Sequence, residues 1–155
     1  MKKNYFSFSD FCITNEAVPL DIADKIYAYH LFPLQSVREA IGVPIVVSKR
    51  SAYRPSWWEV ARKRRPDGEH TFKGKGACDV TCNEMDRLLV GITSITQYTR
   101  ICYYPENNFY HCDYAAANKL FYINTWNEKE EKWEWIRQKG VNDILRVVRD
   151  RERLQ

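Results

Sequence analysis

Three side chains in this sequence have the chemistry to hold a metal ion, and they are rare enough to single out. His70 and His111 are two of only three histidines in the chain, and each lies in a run that also carries a carboxylate. The first run is His70-Thr-Phe-Lys-Gly-Lys-Gly-Ala-Cys-Asp79, a glycine-rich turn leading to an aspartate. The second is Tyr110-His-Cys-Asp-Tyr114, an aromatic and strand-like segment. Two imidazoles and one carboxylate make a three-ligand site that leaves a fourth position open, the arrangement of hydrolytic rather than structural zinc. Ser51-Ala-Tyr-Arg54, just upstream, offers a cation to an anionic group that reaches such an ion.

Other readings of the same residues compete with this one. His70 as a loop histidine and His111 as a core histidine bonded to a carbonyl is the bland alternative. Cys78 and Cys82, with His111 and Cys112, offer the ligands of a closed zinc centre. Adjacent residues on a strand point to opposite faces, which sets His111 and Cys112 against sharing an ion. His30 sits among Tyr27, Tyr29 and Phe32 and reads as structural.

Those ligands need a scaffold, and hydrophobic periodicity supplies its outline. Ser9-Asp10-Phe11 opens a short helical turn. From Leu20 to Ile41 apolar residues recur every three to four positions, which predicts helix divided in two at Pro33. Gly42 ends it, and Val43–Val47 reads as a buried strand. Ser56-Trp-Trp-Glu59 has capping-box spacing for a short helix. Ala77–Thr81 reads as a strand, and Asn83 starts a helix reaching about Ile95. Arg100–Tyr104 and Phe109–Tyr114 form a hairpin around Pro105-Glu-Asn-Asn108. Alternation puts Phe109, His111 and Asp113 on one face, with His111 and Asp113 about 6–7 Å apart along the strand. Leu120–Trp126 and Trp133–Ile136 form a second hairpin with a charged, solvated tip. A last helix from about Val141 buries Ile144, Leu145 and Val148. The expectation is one α+β domain: helices packed on a small, mostly antiparallel sheet.

Composition narrows the partners. A chain of 155 residues is long enough for a single domain to bury most of its apolar surface. The aromatic share of 14% is high; such rings mainly fill cores but also line peptide or sugar grooves. A net charge of +4 is too mild to demand nucleic acid, and the basic run Arg62-Lys-Arg-Arg65 reads as a solvated helix end. Five cysteines, an odd number without framework spacing, fit free thiols in a reducing compartment. No apolar signal-like segment follows Met1-Lys-Lys3, and no eighteen apolar residues run together, so neither secretion nor a membrane span is expected. Synthesis in the cytoplasm is the expectation.

Taken together, these motifs resemble the M15 zinc peptidases. The group comprises the D-Ala-D-Ala carboxypeptidases and L-alanyl-D-glutamate endopeptidases of bacteria and phages, whose fold is shared with the Hedgehog signalling domain. The likeness is closest to the small, phage-type branch. It runs from about Phe6 to Tyr114 through Val37-Arg-Glu-x-x-Gly-x-Pro-Ile45, Ser51-x-Tyr-Arg54, His70…Gly-Ala-x-Asp79 and Tyr110-His-x-Asp113. The resemblance implies a Hedgehog-like fold, with zinc held by His70, Asp79 and His111. It implies that Arg54 meets the substrate carbonyl or oxyanion, and that Ser51 and Tyr53 shape that pocket. The implied substrate is a peptidoglycan stem peptide, reached by lysis, a holin or a virion if the gene is a phage's.

Two departures stand out. The family's first His and its Asp usually lie closer together, whereas Asp79 follows His70 by nine residues. The family's catalytic acid precedes the last His, at the position where this chain has Asn108, and an amide cannot cycle a proton. Glu106 and Asp113 are the neighbouring carboxylates able to substitute, with Asp113 also suited to orienting a ligand. The expectation is therefore a zinc peptidase with its base relocated; the alternative is an inactive zinc-binding domain for a peptide, wall fragment or protein partner.

Overall fold

Residues 3–13, 17–48 and 51–155 are described by a computed structural model. Its centre is a six-stranded sheet made of β1 (Ile45–Val47), β2 (Ala77–Cys82), β3 (Arg100–Tyr104), β4 (Phe109–Asp113), β5 (Leu120–Asn127) and β6 (Lys132–Arg137). The strand order is β1-β2-β4-β3-β5-β6, antiparallel except where β3 meets β5 in parallel. Both expected hairpins are present. The β3–β5 pairing joins the second hairpin to the first, so the strands beyond Tyr114 extend the same sheet. The architecture is α+β, as the sequence pattern implies.

One face of the sheet is apolar. Val80, Cys78, Ile101, Tyr103, Tyr110 and Cys112 alternate inward along their strands and are almost wholly buried. Over them lie α4 (Met85–Ile95) and α5 (Val141–Arg153), while α2 (Phe32–Ile41) packs on α4. Ile144, Leu145 and Val148 are buried as expected. Each such side chain contributes about 1.5–3 kcal/mol by leaving water. A Cβ on Gly91 would stand 2.9 Å from Ile41 and Val37 side-chain carbons, so its absence lets α4 approach α2 closely.

Three boundaries differ from the sequence pattern, each for a local reason. The expected break at Pro33 falls one turn earlier. Between α1 (Leu20–Ile26) and α2 the rod continues through a π-helical turn, Tyr27–Leu31, in which the Phe32 N–H bonds the Tyr27 carbonyl. Pro33 has no N–H for the Tyr29 carbonyl; the Tyr114 hydroxyl donates to it instead at 2.5 Å. Helix α4 starts at Met85, not Asn83, because its cap comes from elsewhere: Glu152 of α5 accepts from the N–H groups of Met85 (3.1 Å) and Asp86 (3.5 Å). In α3 (Ser56–Ala61), Ser56 lies inside the helix after Pro55, and its hydroxyl donates to the Pro66 carbonyl at 2.7 Å. No capping box forms, and Glu59 is free to turn elsewhere.

No helix among the described residues is long and apolar enough to cross a membrane. The basic run after α3 and the charged tip between β5 and β6 are both exposed.

Candidate metal centre

The opposite face of the sheet carries the chemistry. Asp79 on β2 and His111 on β4 are direct register partners, and Cys102 on β3 lies opposite His111. His70 arrives from a 3-10 turn, Glu69–Thr71, laid across this face. Backbone bonds lace the loop to both ligand segments: Asp79 N–H donates to the Ser51 carbonyl at 2.7 Å, and Arg54 N–H to that of His70 at 2.8 Å. The turn closes on Phe72, whose ring occupies the space where a Cβ on Gly76 would stand. Gly76, at φ +85°, therefore meets two demands that only glycine meets easily. This glycine-rich loop absorbs the long His70-to-Asp79 spacing.

One ligand atom each from His70, Asp79 and His111 lies within 4.8 Å of the others. His70 Nε2 is 3.6 Å from Asp79 Oδ1, and His111 Nδ1 is 3.0 Å from the same oxygen. Ligand atoms about 2.0–2.1 Å from a tetrahedral zinc stand about 3.4 Å apart, between those two values. The remaining ring nitrogens are held. His70 Nδ1–H donates to the Ala52 carbonyl at 2.9 Å, and His111 Nε2–H to Asp113 at 2.7 Å. His70 is thereby fixed with its Nε2 lone pair toward Asp79, whereas the His111 Nδ1 shares a proton with Asp79 that a bound ion would replace. Two acceptors 3.0 Å apart, as His111 Nδ1 and Asp79 Oδ1 are, need a positive charge between them: a proton or a metal ion. The donor set fits a divalent cation.

The electrostatics agree. Burial disfavours charge on His111, but the hydrogen bonds it donates to Asp113 and Asp79 outweigh it and raise its pKa to about 9. Burial likewise opposes ionisation of Asp79, yet His111 and His70 hold its pKa well below the usual carboxylate range. Asp113 is completely buried, and it is held ionised by His111 and by a bidentate Arg100 contact of 2.6–3.1 Å. Ala115 N–H adds a further donor to it at 3.0 Å. With its oxygens so engaged, Asp113 is placed to orient His111.

The other predicted residues fall in distinct places. Arg54 lies within electrostatic reach of Asp79 and Tyr104 and pairs with Glu59 at 2.8 Å. Ser51 and Asp79 line one narrow pocket of about 250 Å³, with Thr81 and Phe109. Tyr53 is buried with its ring edge-on to Phe72, next to the His70 loop. Glu106 is exposed on the β3–β4 turn and lines a wider cleft beside Tyr104 and Trp135. Asn108 has a left-handed backbone, φ +55°, and its side-chain oxygen accepts from the Tyr103 hydroxyl at 2.9 Å. Tyr103 belongs to the apolar face, so Asn108 turns away from the ligands.

The closed cysteine site is not formed. Cys78, Cys82 and Cys112 all face the core, opposite to His111, and all five cysteines are unpaired. His30 is fully buried, donating to the Lys75 carbonyl at 2.9 Å and accepting from the Tyr98 hydroxyl at 2.8 Å. Burial pushes its pKa down to about 4, as suits a neutral structural histidine.

Two residues at the site escaped the sequence reading. Glu59 is buried and holds both Arg54 and, at 3.5 Å, Arg64. A glutamate directly after two tryptophans, five residues beyond Arg54, was the available signal. Trp135 lies with its ring 5.2 Å from that of His111, and its Nε1–H donates to the Tyr104 hydroxyl at 2.7 Å. The Trp133-x-Trp135 alternation could have indicated it. Compared with protein-family models, curated proteins and solved structures, this chain has no match.

Proposed function

We propose that this chain is a zinc-dependent peptidase of the M15 type, on a Hedgehog-like scaffold, acting on peptidoglycan stem peptides. One observation carries the reading: His70 Nε2, Asp79 Oδ1 and His111 Nδ1 converge, with the second nitrogen of each imidazole already committed to another partner. When bound, zinc supplies Lewis acidity and lowers the pKa of water.

The chain's own residues do the rest. Asp113, anchored by Arg100, holds the Nε2 proton of His111, so that Nδ1 is the nitrogen that would give up its proton to a bound ion. Arg54 offers N–H donors to the carbonyl oxygen as it gathers charge, and Glu59 fixes the guanidinium in place. Glu106 takes the water's proton and delivers it to the leaving amine. It is the favoured carrier because it is exposed on the cleft side while Asp113 is fully engaged.

A second reading, a zinc-binding domain without hydrolysis, is favoured by one specific fact. Asn108 stands where the family's acid is expected, and its side chain is turned to Tyr103. Incubating wild type and Glu106→Gln with purified peptidoglycan and assaying released amines separates the two. The peptidase reading expects release by wild type and a loss of about 10²–10⁴-fold in Glu106→Gln. Stoichiometric zinc with no release supports the second reading. A folded chain that takes up no zinc at saturation overturns both.

A further inference from the structure

The cleft beside the metal centre is built for a different kind of ligand than the ion. It has a volume of about 750 Å³ and lies on the open face of the sheet, over β3, β5 and β6. Tyr104, Trp133 and Trp135 supply its aromatic surface, and Asn107 and Asn124 its amides. Trp133, on the edge strand β6, is 47% exposed and lies beside the 44% exposed Trp126 of β5, ring centroids 5.5 Å apart. Exposing two neighbouring tryptophans forgoes burial that each ring would otherwise gain. Such surfaces mark binding sites.

The lining charges identify the ligand class. The lining carries one cation, Arg64, and two carboxylates, Glu106 and Glu134, so the cleft is mildly acidic even though the chain is basic. A polyanion finds no positive field there, and a purely apolar ligand would strand the amides and charges without partners. A ligand with apolar C–H faces and a rim of hydroxyl and amide groups satisfies both halves. Its faces lie on the indoles, and its rim bonds with Asn107, Asn124, Glu134 and Arg64. That description fits a pyranose ring bearing an N-acetyl group. Trp135 joins the cleft to the ligand sphere, since it touches both Tyr104 and His111.

We infer that this cleft binds the N-acetylhexosamine glycan chain to which a stem peptide is attached. The inference rests on the peptidase reading for its purpose, while the binding itself needs no metal. Tryptophan fluorescence during titration with chitotetraose, the β-1,4-linked N-acetylglucosamine tetramer, tests it. Saturable change is expected with half-saturation on the order of 1 mM or tighter. Trp133→Ala should weaken it at least about tenfold and Trp133→Phe should restore most of it, with circular dichroism confirming the fold. EDTA treatment should leave it unchanged, which keeps this test separate from that of the peptidase. No saturable change, or an equal change in Trp133→Ala, overturns the inference. Displacement of the sugar by free L-Ala-D-Glu-L-Lys also overturns it, by assigning the cleft to peptide.

Discussion

Along β4, neighbouring residues live in different solvents. Tyr110 and Cys112 are buried under α4 and α5 in an apolar layer, while His111 and Asp113 lie on the other face among carboxylates, an arginine and an indole. Both sets are hidden from water, but by different means. The first is hidden by helices and stabilised by area removed from water. The second is hidden by a loop and by its own ion pairs, and is stabilised only while its charges stay matched. A protein can therefore place a charged site on its most rigid element by using alternate positions of a core strand. The apolar face supplies the rigidity that keeps two imidazoles and a carboxylate aligned.

The difference can be broken at either face. On the polar face, His111→Ala removes one of the three candidate ligands, and zinc content measured by atomic absorption should fall from about one per chain to near zero. On the apolar face, Ile101→Ala, at a site 1% exposed, should cost about 2–5 kcal/mol in denaturant unfolding and leave the ligand set intact. Asp113→Asn keeps the shape but weakens the grip on His111, so zinc affinity by competitive chelation should drop about 10–100-fold.

The pH dependence of the metal-free protein sharpens the contrast further, because the two buried histidines oppose each other. His30 has a folded pKa of about 4, below its ordinary 6.5; stability should therefore fall as pH drops below 6.5. The depressed carboxylates Asp79 and Asp113 add to that acid loss, below about pH 4. His111 is raised from 6.5 to about 9, so its contribution is complete below 6.5 and is lost as pH climbs through 9. Thermal unfolding of the metal-free chain should peak near pH 6.5, and saturating zinc, which takes the place of the Nδ1 proton, should flatten the alkaline arm. The smallest effect is expected for Asn108→Asp. Its side chain points to Tyr103, and Asp tolerates the left-handed backbone, so stability should shift by no more than about 0.5 kcal/mol, with no gain in amine release.

What was legible in the sequence follows from the same geometry. Period-two alternation placed His111 and Asp113 on one face, and the strand pairs themselves were visible because each is a short run between turn residues. Order along the chain, however, does not reveal sheet order, and the parallel β3–β5 contact that brings Trp135 over His111 has no local signature. Partners from distant elements were equally hidden. Glu152 caps α4 from 67 residues away, and Glu59 satisfies the spacing of a capping box while it in fact pairs with Arg54. Asp113 was identifiable as a neighbour of His111, but its contact with Arg100, from the adjacent strand, was not.

The most direct measurement is a crystal structure of the chain grown with zinc and phased on the metal's anomalous signal. The ion should bond His70 Nε2, Asp79 Oδ1 and His111 Nδ1, leaving one position to solvent, with Asp113 still on His111 Nε2. Zinc found on other residues, or a well-ordered chain with no metal peak between these three side chains, would contradict the assignment of this face as a metal centre.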